Sequence, residues 1–336
     1  MAHLTLDEAY RLAFQALQAA GANDVLAAST AQALVCADAQ GLASHGLSRI
    51  PQYTAHLRNG RANGAAVPRI AKHKGAVLWV DADEGLAFPA CDMAIAKGIE
   101  VARELGVCFI GIHNSHHCGV VVDHLRAVTA ANMVGLGFSN SPSAMPAAGG
   151  KHPVFGTNPI AAAFPRRNAQ PLLIDMSLSE VARGKLMVAA KAGAQIPEGW
   201  ALDIHGQPTT DPQAGMDGSM LPIGAASSSK GAMLALVVEL LVTALIGAHF
   251  GFEANSFFVD EGNVPHLGQS FILIDPGALA GTDAYLERIE VLLSEILRDD
   301  GVRLPGARRL ELEAAAQTAG ITIPDALAQQ IKAMLV

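Results

Sequence analysis

A layered α/β domain beside a small helical unit is the fold class that three observations on this 336-residue chain predict. Residues 1–72 carry apolar side chains at helical spacing. From Ala76 onward, short apolar runs alternate with helical stretches, the texture of a sheet covered by helices. No strand is followed by G-x-G-x-x-G. The nearest approach, Gly135-Leu136-Gly137, lies inside a strand pattern and continues as Phe138-Ser139-Asn140. The standard dinucleotide-binding fold is therefore disfavoured, while dinucleotide binding itself stays open.

The elements follow in order. Thr5 and Glu8 make a capping-box pattern ahead of Leu6, Tyr10, Phe14 and Leu17, and Gly21 stops that helix. A second helical pattern runs from Asp24 through Leu34 and Ala37. A third starts near Ser44 and continues through Ile50, Tyr53 and Leu57 to Asn59-Gly60. Val77–Asp81 reads as a strand, Ala90–Leu105 as a helix, Val107–Ile112 as a buried strand, Val120–Ala131 as a helix and Val134–Ser139 as a strand. Pro and Gly then punctuate a loop-rich middle at Ser141-Pro142, Gly149-Gly150, Gly156–Pro159 and Asp211-Pro212. Leu172–Asp175 and Phe271–Asp275 read as strands ending in Asp. Ser179–Ala190, Lys230–Ala248, Thr282–Arg298 and the tail from Arg309 read as helices.

Composition narrows the function classes. With 51% hydrophobic and 16% charged residues, the chain affords a sizeable core and does not read as disordered. The net charge of −8, with no basic block, argues against nucleic acid and anionic membranes as partners. An anionic substrate must then be held by local Arg, Lys or helix N-termini. Cys36, Cys91, Cys108 and Cys118 lack C-x-x-C spacing, so neither a disulfide framework nor a zinc site is expected. The N-terminus lacks a signal-peptide pattern. The apolar run Ala232–Ala248 contains Glu239 and is short for a membrane span, so it reads as a core helix. A soluble cytoplasmic protein is the expectation.

Several segments carry chemistry. In Ser44-His45-Gly46-Leu47-Ser48-Arg49, a helix places His45 and Arg49 at i and i+4. A proton donor beside a guanidinium fork suits reaction at the carbon next to a carboxylate; an exposed helix end is the other reading. Asn114–Gly119 joins a strand to a helix and offers backbone N–H groups to a phosphate or ribose, or is a plain turn. Metal binding by His116 and His117 is disfavoured, because neighbouring positions diverge on a helix and no partner has ligand spacing. Thr157 and Asn158 stand in a tight turn and reach a ligand or only shape the turn. Asp175, ahead of Met176 and Ser177, is an N-cap or a ligand group at a strand's carboxyl end. Arg183 and Lys185 meet an anion or lie on the surface. Arg303, Arg308 and Arg309 gather around Leu304-Pro305-Gly306-Ala307, a density that suits a phosphate.

Taken in this order, Ser44-His45-Gly46 with Arg49, Ser115-His116-His117, Gly156–Pro159, Asp175-Met176-Ser177 and Leu304-Pro305-Gly306 resemble the malate/L-lactate dehydrogenase family. That family has the sulfolactate-dehydrogenase-like fold and includes ureidoglycolate, sulfolactate and diketogulonate enzymes and cyclic-imine reductases. The resemblance implies a non-Rossmann, three-layer α/β/α domain with a mixed sheet over residues 73–279, binding NAD(P)H and substrate. It implies a helical domain from residues 1–72 joined by C-terminal helices from about 280–336, and a homodimer with the site near the subunit boundary. His45 would be the proton donor, supported by Ser44, with Lys185 where a catalytic relay residue stands. Arg49 would bind the substrate carboxylate, with Thr157, Arg183 and Gly184 beside the substrate. His117, Cys118, Gly119, Val120, Val121, Asp175, Met176, Ser177, Ser229, Lys230 and the Arg303–Arg309 segment would contact the cofactor. The arginines would favour NADPH, through its 2′-phosphate, over NADH.

Ser115–Gly119, Arg303–Arg309 and Phe250–Glu253 with Ser256-Phe257-Phe258 are most similar to the imine reductases. The expected reaction is therefore reduction of Δ1-pyrroline-2-carboxylate or Δ1-piperideine-2-carboxylate to L-proline or L-pipecolate. Two departures bear on that expectation. Lys185 replaces the acidic residue some imine reductases carry, and the Gly224–Lys230 loop is serine-rich. The alternatives are a malate-, lactate- or ureidoglycolate-type hydroxyacid dehydrogenase, or a non-catalytic binder of small anions.

Overall fold

The computed structural model describes residues 1–335. Seven strands form one mixed sheet, in the spatial order Arg69–Lys74, Val77–Asp81, Val107–Ser115, Leu267–Ile274, Val134–Ser139, Ile160–Phe164 and Leu172–Met176. Only Val77–Asp81 and Val107–Ser115 run parallel. The other neighbours are antiparallel. A doubly wound sheet is built on parallel neighbours, so the topology accounts for the missing glycine fingerprint.

Alternation along the central strands produces three layers. Ile110 and Leu273 face the helix Phe88–Leu105 at its Gly98. On the same face, Val121–His124 and Arg126–Ala130 lie over Gly135 and Gly137. Gly111 and Ser270 point the other way. A Cβ on Gly111 would meet Ile246, and Ser270 Oγ donates to Leu241 O, so the helix Lys230–Val242 and its exit cover the second face.

A second core is helical. Leu12, Leu17, Leu26, Leu34, Tyr53 and Leu57 pack with Ala316, Ile321 and Ile331. Ala2–Leu4 pairs with Ile321–Ile323 and ties the two ends of the chain together. The helix Thr282–Ile296 lies elsewhere, beside the sheet edge, where Arg166 pairs with Glu290 and Tyr285 donates to Pro165 O.

The helix Leu6–Ala19 carries the full capping box of Thr5 and Glu8. Three expected elements differ in extent. The helix expected over Val120–Ala131 is two short helices divided at Leu125. The one expected from Ser179 begins at Arg183, because the Ser177 hydroxyl takes the Ser179 N–H and Ser179 pairs with Pro222. The one expected to Ala248 ends at Val242, where buried Thr243 returns its hydroxyl to Glu239 O. The strand expected over Phe271–Asp275 starts at Leu267, through a bulge at Gly268. A Cβ on Gly268 would sit 1.8 Å from Val242 O, so no other residue allows that approach. The edge strand Arg69–Lys74 gave no apolar alternation because charged side chains protect it.

Glu239 explains why the apolar run is no membrane span. Its carboxylate accepts from Gly251 N at 2.8 Å and Asn158 Nδ2 at 2.7 Å inside the core. No helix among the described residues is long and apolar enough to cross a membrane.

Candidate active site

The segment expected as one helix over Ser44–Arg49 is two 3-10 turns, Ala43–His45 and Leu47–Arg49, joined at Gly46. Asp38 is the cause. Its carboxylate accepts the Leu47 N–H at 2.7 Å. A Cβ on Gly46 would stand 2.2 Å from Asp38 Cγ, so only glycine lets the chain cross the carboxylate. Burial pushes Asp38 up to about 6. Arg49 donates from Nε to Ser44 O at 2.6 Å and from Nη1 to Gln52 Oε1 at 2.7 Å, which leaves Nη2 for a ligand. Ser44 Oγ is 3.0 Å from His45 Nδ1.

Opposite lies the turn that follows the strand Val107–Ser115. His116 and His117 part there, as expected of adjacent positions. His116 Nε2 meets His56 Nδ1 at 2.9 Å, and His117 Nδ1 meets Tyr53 Oη at 2.6 Å. The His117 ring stands 5.6 Å from the His45 ring. Tyr53 is fully buried, and His117 Nδ1 is its hydroxyl's one partner among the described residues. A buried phenol without an acceptor is costly, so Tyr53 donates and His117 carries its own hydrogen on Nε2. Burial and the nearby Arg49 hold His117 well below its usual range.

The segment 249–263 forms a wall. Phe257 packs on His116 and His117 at centroid distances of 5.0 and 5.3 Å. Phe258 is the platform under two guanidiniums, with Arg49 Cζ 5.5 Å and Arg183 Cζ 5.4 Å from its centroid. Arg61, fully buried, fixes this wall from inside. It donates to the carbonyls of Asn255, Ser256, Val259 and Asn263. Glu239 holds the near end at Gly251 and the Thr157-Asn158 turn together.

The third side is the end of the strand Leu172–Met176. Asp175 accepts Val122 N–H at 3.2 Å and stands 3.9 Å from Arg309. Burial pushes Asp175 up to about 6 against the pull of that N–H and of Arg309. Gly306 brings the Leu304–Ala307 turn onto Leu173: a Cβ there would lie 2.8 Å from Leu173 O. Thr157 N–H donates to Ser141 Oγ, and Thr157 O accepts Leu178 N–H, so this turn borders Ser177.

The structure thus gathers His45, Arg49, His117, Asp175, Arg183 and Arg309, with Ser44 at the rim. It does not bring in every candidate. Lys185 is exposed, its ammonium 5.8 Å from the Trp200 ring, with no hydrogen bond to Ser44 or His45. Gly184, Met176, Ser229, Lys230, Arg303, Pro305 and Arg308 are exposed. Cys118 turns its thiol to Ser139 in the core, where burial pushes it up to about 11, and Val121 is buried with it. Gly119 and Val120 beside them are half-buried. Tyr53, His56, Arg61 and Asp38 escape a sequence reading as site residues, since nothing local marks them. Glu239 had one signal, an ionisable group inside an apolar helix.

Burial and the cations Arg49 and Arg309 push His45 down to about 4. The resting imidazole is therefore neutral. An anion on Arg49 offsets one of these cations and makes protonation easier. A titratable imidazole thus stands beside a guanidinium with a free donor, an arrangement suited to proton transfer at a carbon next to a carboxylate.

Comparison with known proteins agrees with this geometry. The chain is 49% identical to the (2R)-3-sulfolactate dehydrogenase (NADP(+)) of Chromohalobacter salexigens, over 99% of this chain and 98% of that protein. The structure superposes with TM-score 0.90 on sulfolactate dehydrogenase from Methanocaldococcus jannaschii (31% identity; 99% of this chain, 96% of that one). It superposes with TM-score 0.93 on delta1-piperideine-2-carboxylate reductase from Pseudomonas syringae (31% identity; 99% and 100%). A profile of the malate/L-lactate dehydrogenase family matches residues 4–332, and the chain belongs to that family of oxidoreductases.

Proposed function

We propose that this chain is an NADP-dependent dehydrogenase. It would move a hydride between the cofactor and the carbon beside the carboxylate of a short hydroxy acid that carries a second anionic group, with (2R)-3-sulfolactate as the type substrate. The observation that carries the substrate class is the pair of guanidiniums, Arg49 and Arg183, seated on one Phe258 ring. The sulfolactate dehydrogenase relative supports the same choice.

A dinucleotide fits the residues present. Arg309 Nη1 is buried without a hydrogen-bond partner, beside the shielded carboxyl of Asp175. Such a donor calls for an acceptor from a ligand. Asp175, Arg309 and the His117–Val121 turn would hold the cofactor, with Met176, Ser177, Ser229, Lys230 and Arg303–Arg308 as further proposed contacts. When bound, NADPH supplies the hydride and NADP+ accepts it. Arg49 orients the carboxylate with its free Nη2. In oxidation, neutral His45 takes the hydroxyl proton on Nε2 and becomes an imidazolium, whose Nδ1–H donates a hydrogen bond to Ser44 Oγ. In reduction, it returns the proton to the nascent alkoxide. Acid–base transfer of this kind is worth roughly 10²–10⁴-fold.

Reduction of a cyclic imine is the second reading, favoured by the apolar Phe257 wall and the piperideine-2-carboxylate reductase fold. Kinetics with NADP(H) on (2R)-3-sulfolactate, malate, L-lactate and the two cyclic imines decides between them. Sulfolactate should lead the imines at least tenfold in kcat/KM; an imine in front reverses the assignment.

We also propose a homodimer in the cytoplasm. The helix Lys230–Val242 exposes Met233, Leu236, Val237 and Leu240, a face suited to a second copy, and all four cysteines are free thiols. Light scattering at a monomer mass of 34.8 kDa would refute the dimer.

A further inference from the structure

Phe258 is half exposed although its neighbour Phe257 is buried. Its backbone is not free to wander, because Arg61 grips the carbonyls on both sides of it, at Ser256 and Val259. The ring serves two cations from different parts of the fold. Arg49 precedes the helix Ile50–Arg58 of the helical core, and Arg183 opens the helix Arg183–Ala192 beyond the sheet edge. Each guanidinium directs its hydrogen bonds to neutral acceptors, Arg49 to Ser44 O and Gln52 Oε1, Arg183 to Met216 O. Neither guanidinium forms an ion pair among the described residues, although Asp217 lies near enough to act on Arg183. Two such groups repel, and a shared aromatic ring offsets part of that repulsion before any anion arrives.

We propose that Phe258 is the specificity-determining residue of this site. By seating both guanidiniums on one ring, it sets the interval between a carboxylate held at Arg49 and a second anionic group held at Arg183. The proposal rests on the dehydrogenase reading above and deepens it. The two Cζ atoms lie within about 11 Å of each other, since each stands close to the same centroid. A fork keeps its anion centre roughly 4 Å from Cζ. The upper bound on their separation keeps the two cations close together, as a short acid bearing a carboxylate and a sulfonate or second carboxylate needs. A monoanion held at Arg49 makes no use of Arg183.

The test compares oxidation of (2R)-3-sulfolactate with that of L-lactate by NADP+, in wild type, Phe258→Leu and Phe258→Trp. Leucine fills space without a π face, whereas tryptophan keeps one. The half-exposed position leaves folding intact in both. The wild type should prefer sulfolactate. Phe258→Leu should raise KM for sulfolactate about tenfold, with kcat and KM for NADP+ little changed, and shrink the preference by the same factor. Phe258→Trp should restore it. A preference that survives in Phe258→Leu, or one lost equally in both variants, overturns the role of Phe258 and leaves the dehydrogenase reading intact. A wild type that does not prefer the doubly anionic acid overturns that reading, and this proposal with it.

Discussion

Tyr53 Oη stands 2.6 Å from His117 Nδ1, and this contact decides which nitrogen of His117 faces the cleft with a hydrogen. Phenylalanine at position 53 keeps the packing on Phe88 but leaves Nδ1 free to take the proton. Tyr53→Phe should lower kcat/KM about tenfold while costing only about 1 kcal/mol of stability. ¹⁵N chemical shifts of His117 report the change directly. A variant with a single unchanged Nε2–H form would show that the phenol does not set the tautomer.

His45 is held near 4 by burial and two arginines, so its acid limb should lie well below that of an ordinary imidazole. For hydroxy-acid oxidation, kcat/KM should stay level from pH 8 down to about 5. The kcat limb should lie higher, because bound substrate answers the charge of Arg49. Removing a cation in Arg309→Leu should move the kcat/KM limb upward by roughly half to one pH unit. A limb near 6.5 in the wild type would mean that the arginines do not govern this imidazole.

His45→Ala should act on kcat and Arg49→Ala mainly on KM, since proton transfer belongs to the transition state and carboxylate binding is largely shared with the ground state. Unchanged kcat in His45→Ala would pass the proton-transfer role to another group.

Asp175 is pushed up to about 6, above its unfolded value near 3.8. The folded protein therefore binds this proton more tightly than the unfolded chain. The resulting stabilisation is complete below pH 4 and is lost as pH rises through about 6. Asp175→Asn should raise thermal stability at pH 8 by roughly 1–3 kcal/mol and bring no gain at pH 4. The same substitution should weaken cofactor binding, as read by NADPH fluorescence. Equal effects at both pH values would contradict the buried carboxylate.

Arg61 has no carboxylate within ion-pair distance among the described residues; four backbone carbonyls answer it instead. Arg61→Met strands those carbonyls and should destabilise by about 3–5 kcal/mol. Hydrogen exchange should quicken over residues 254–263 before it does elsewhere. Uniform loosening of the whole protein would deny the loop-specific role.

How much of this was legible in the residues depends on distance along the chain. The Thr5–Glu8 capping box and the strands Val77–Asp81 and Val134–Ser139 follow from neighbours within a few positions, and they appear as expected. The pairing of His45 with Arg49 was legible, whereas its backbone was not, because the two 3-10 turns answer to Asp38. Arg61 was opaque for a stronger version of the same reason. Its partners lie some two hundred positions away, in a loop whose Ser256-Phe257-Phe258 motif says nothing of an arginine beneath it. Two three-residue strands, Ala2–Leu4 and Ile321–Ile323, are too short for any periodicity to announce.

That small ribbon governs the order of assembly during synthesis. The helical core that carries Tyr53 and Arg49 is begun before the sheet is made, yet Ala316, Ile321 and Ile331, which close it, are made after the sheet. Arg309 arrives equally late at Asp175. The sheet can be completed while the helical side still waits for its final turn, so a nascent chain holds His45 and Arg49 long before it holds a finished pocket. Loss of residues 317–336 would therefore leave the helical core unclosed, rather than merely trim its surface.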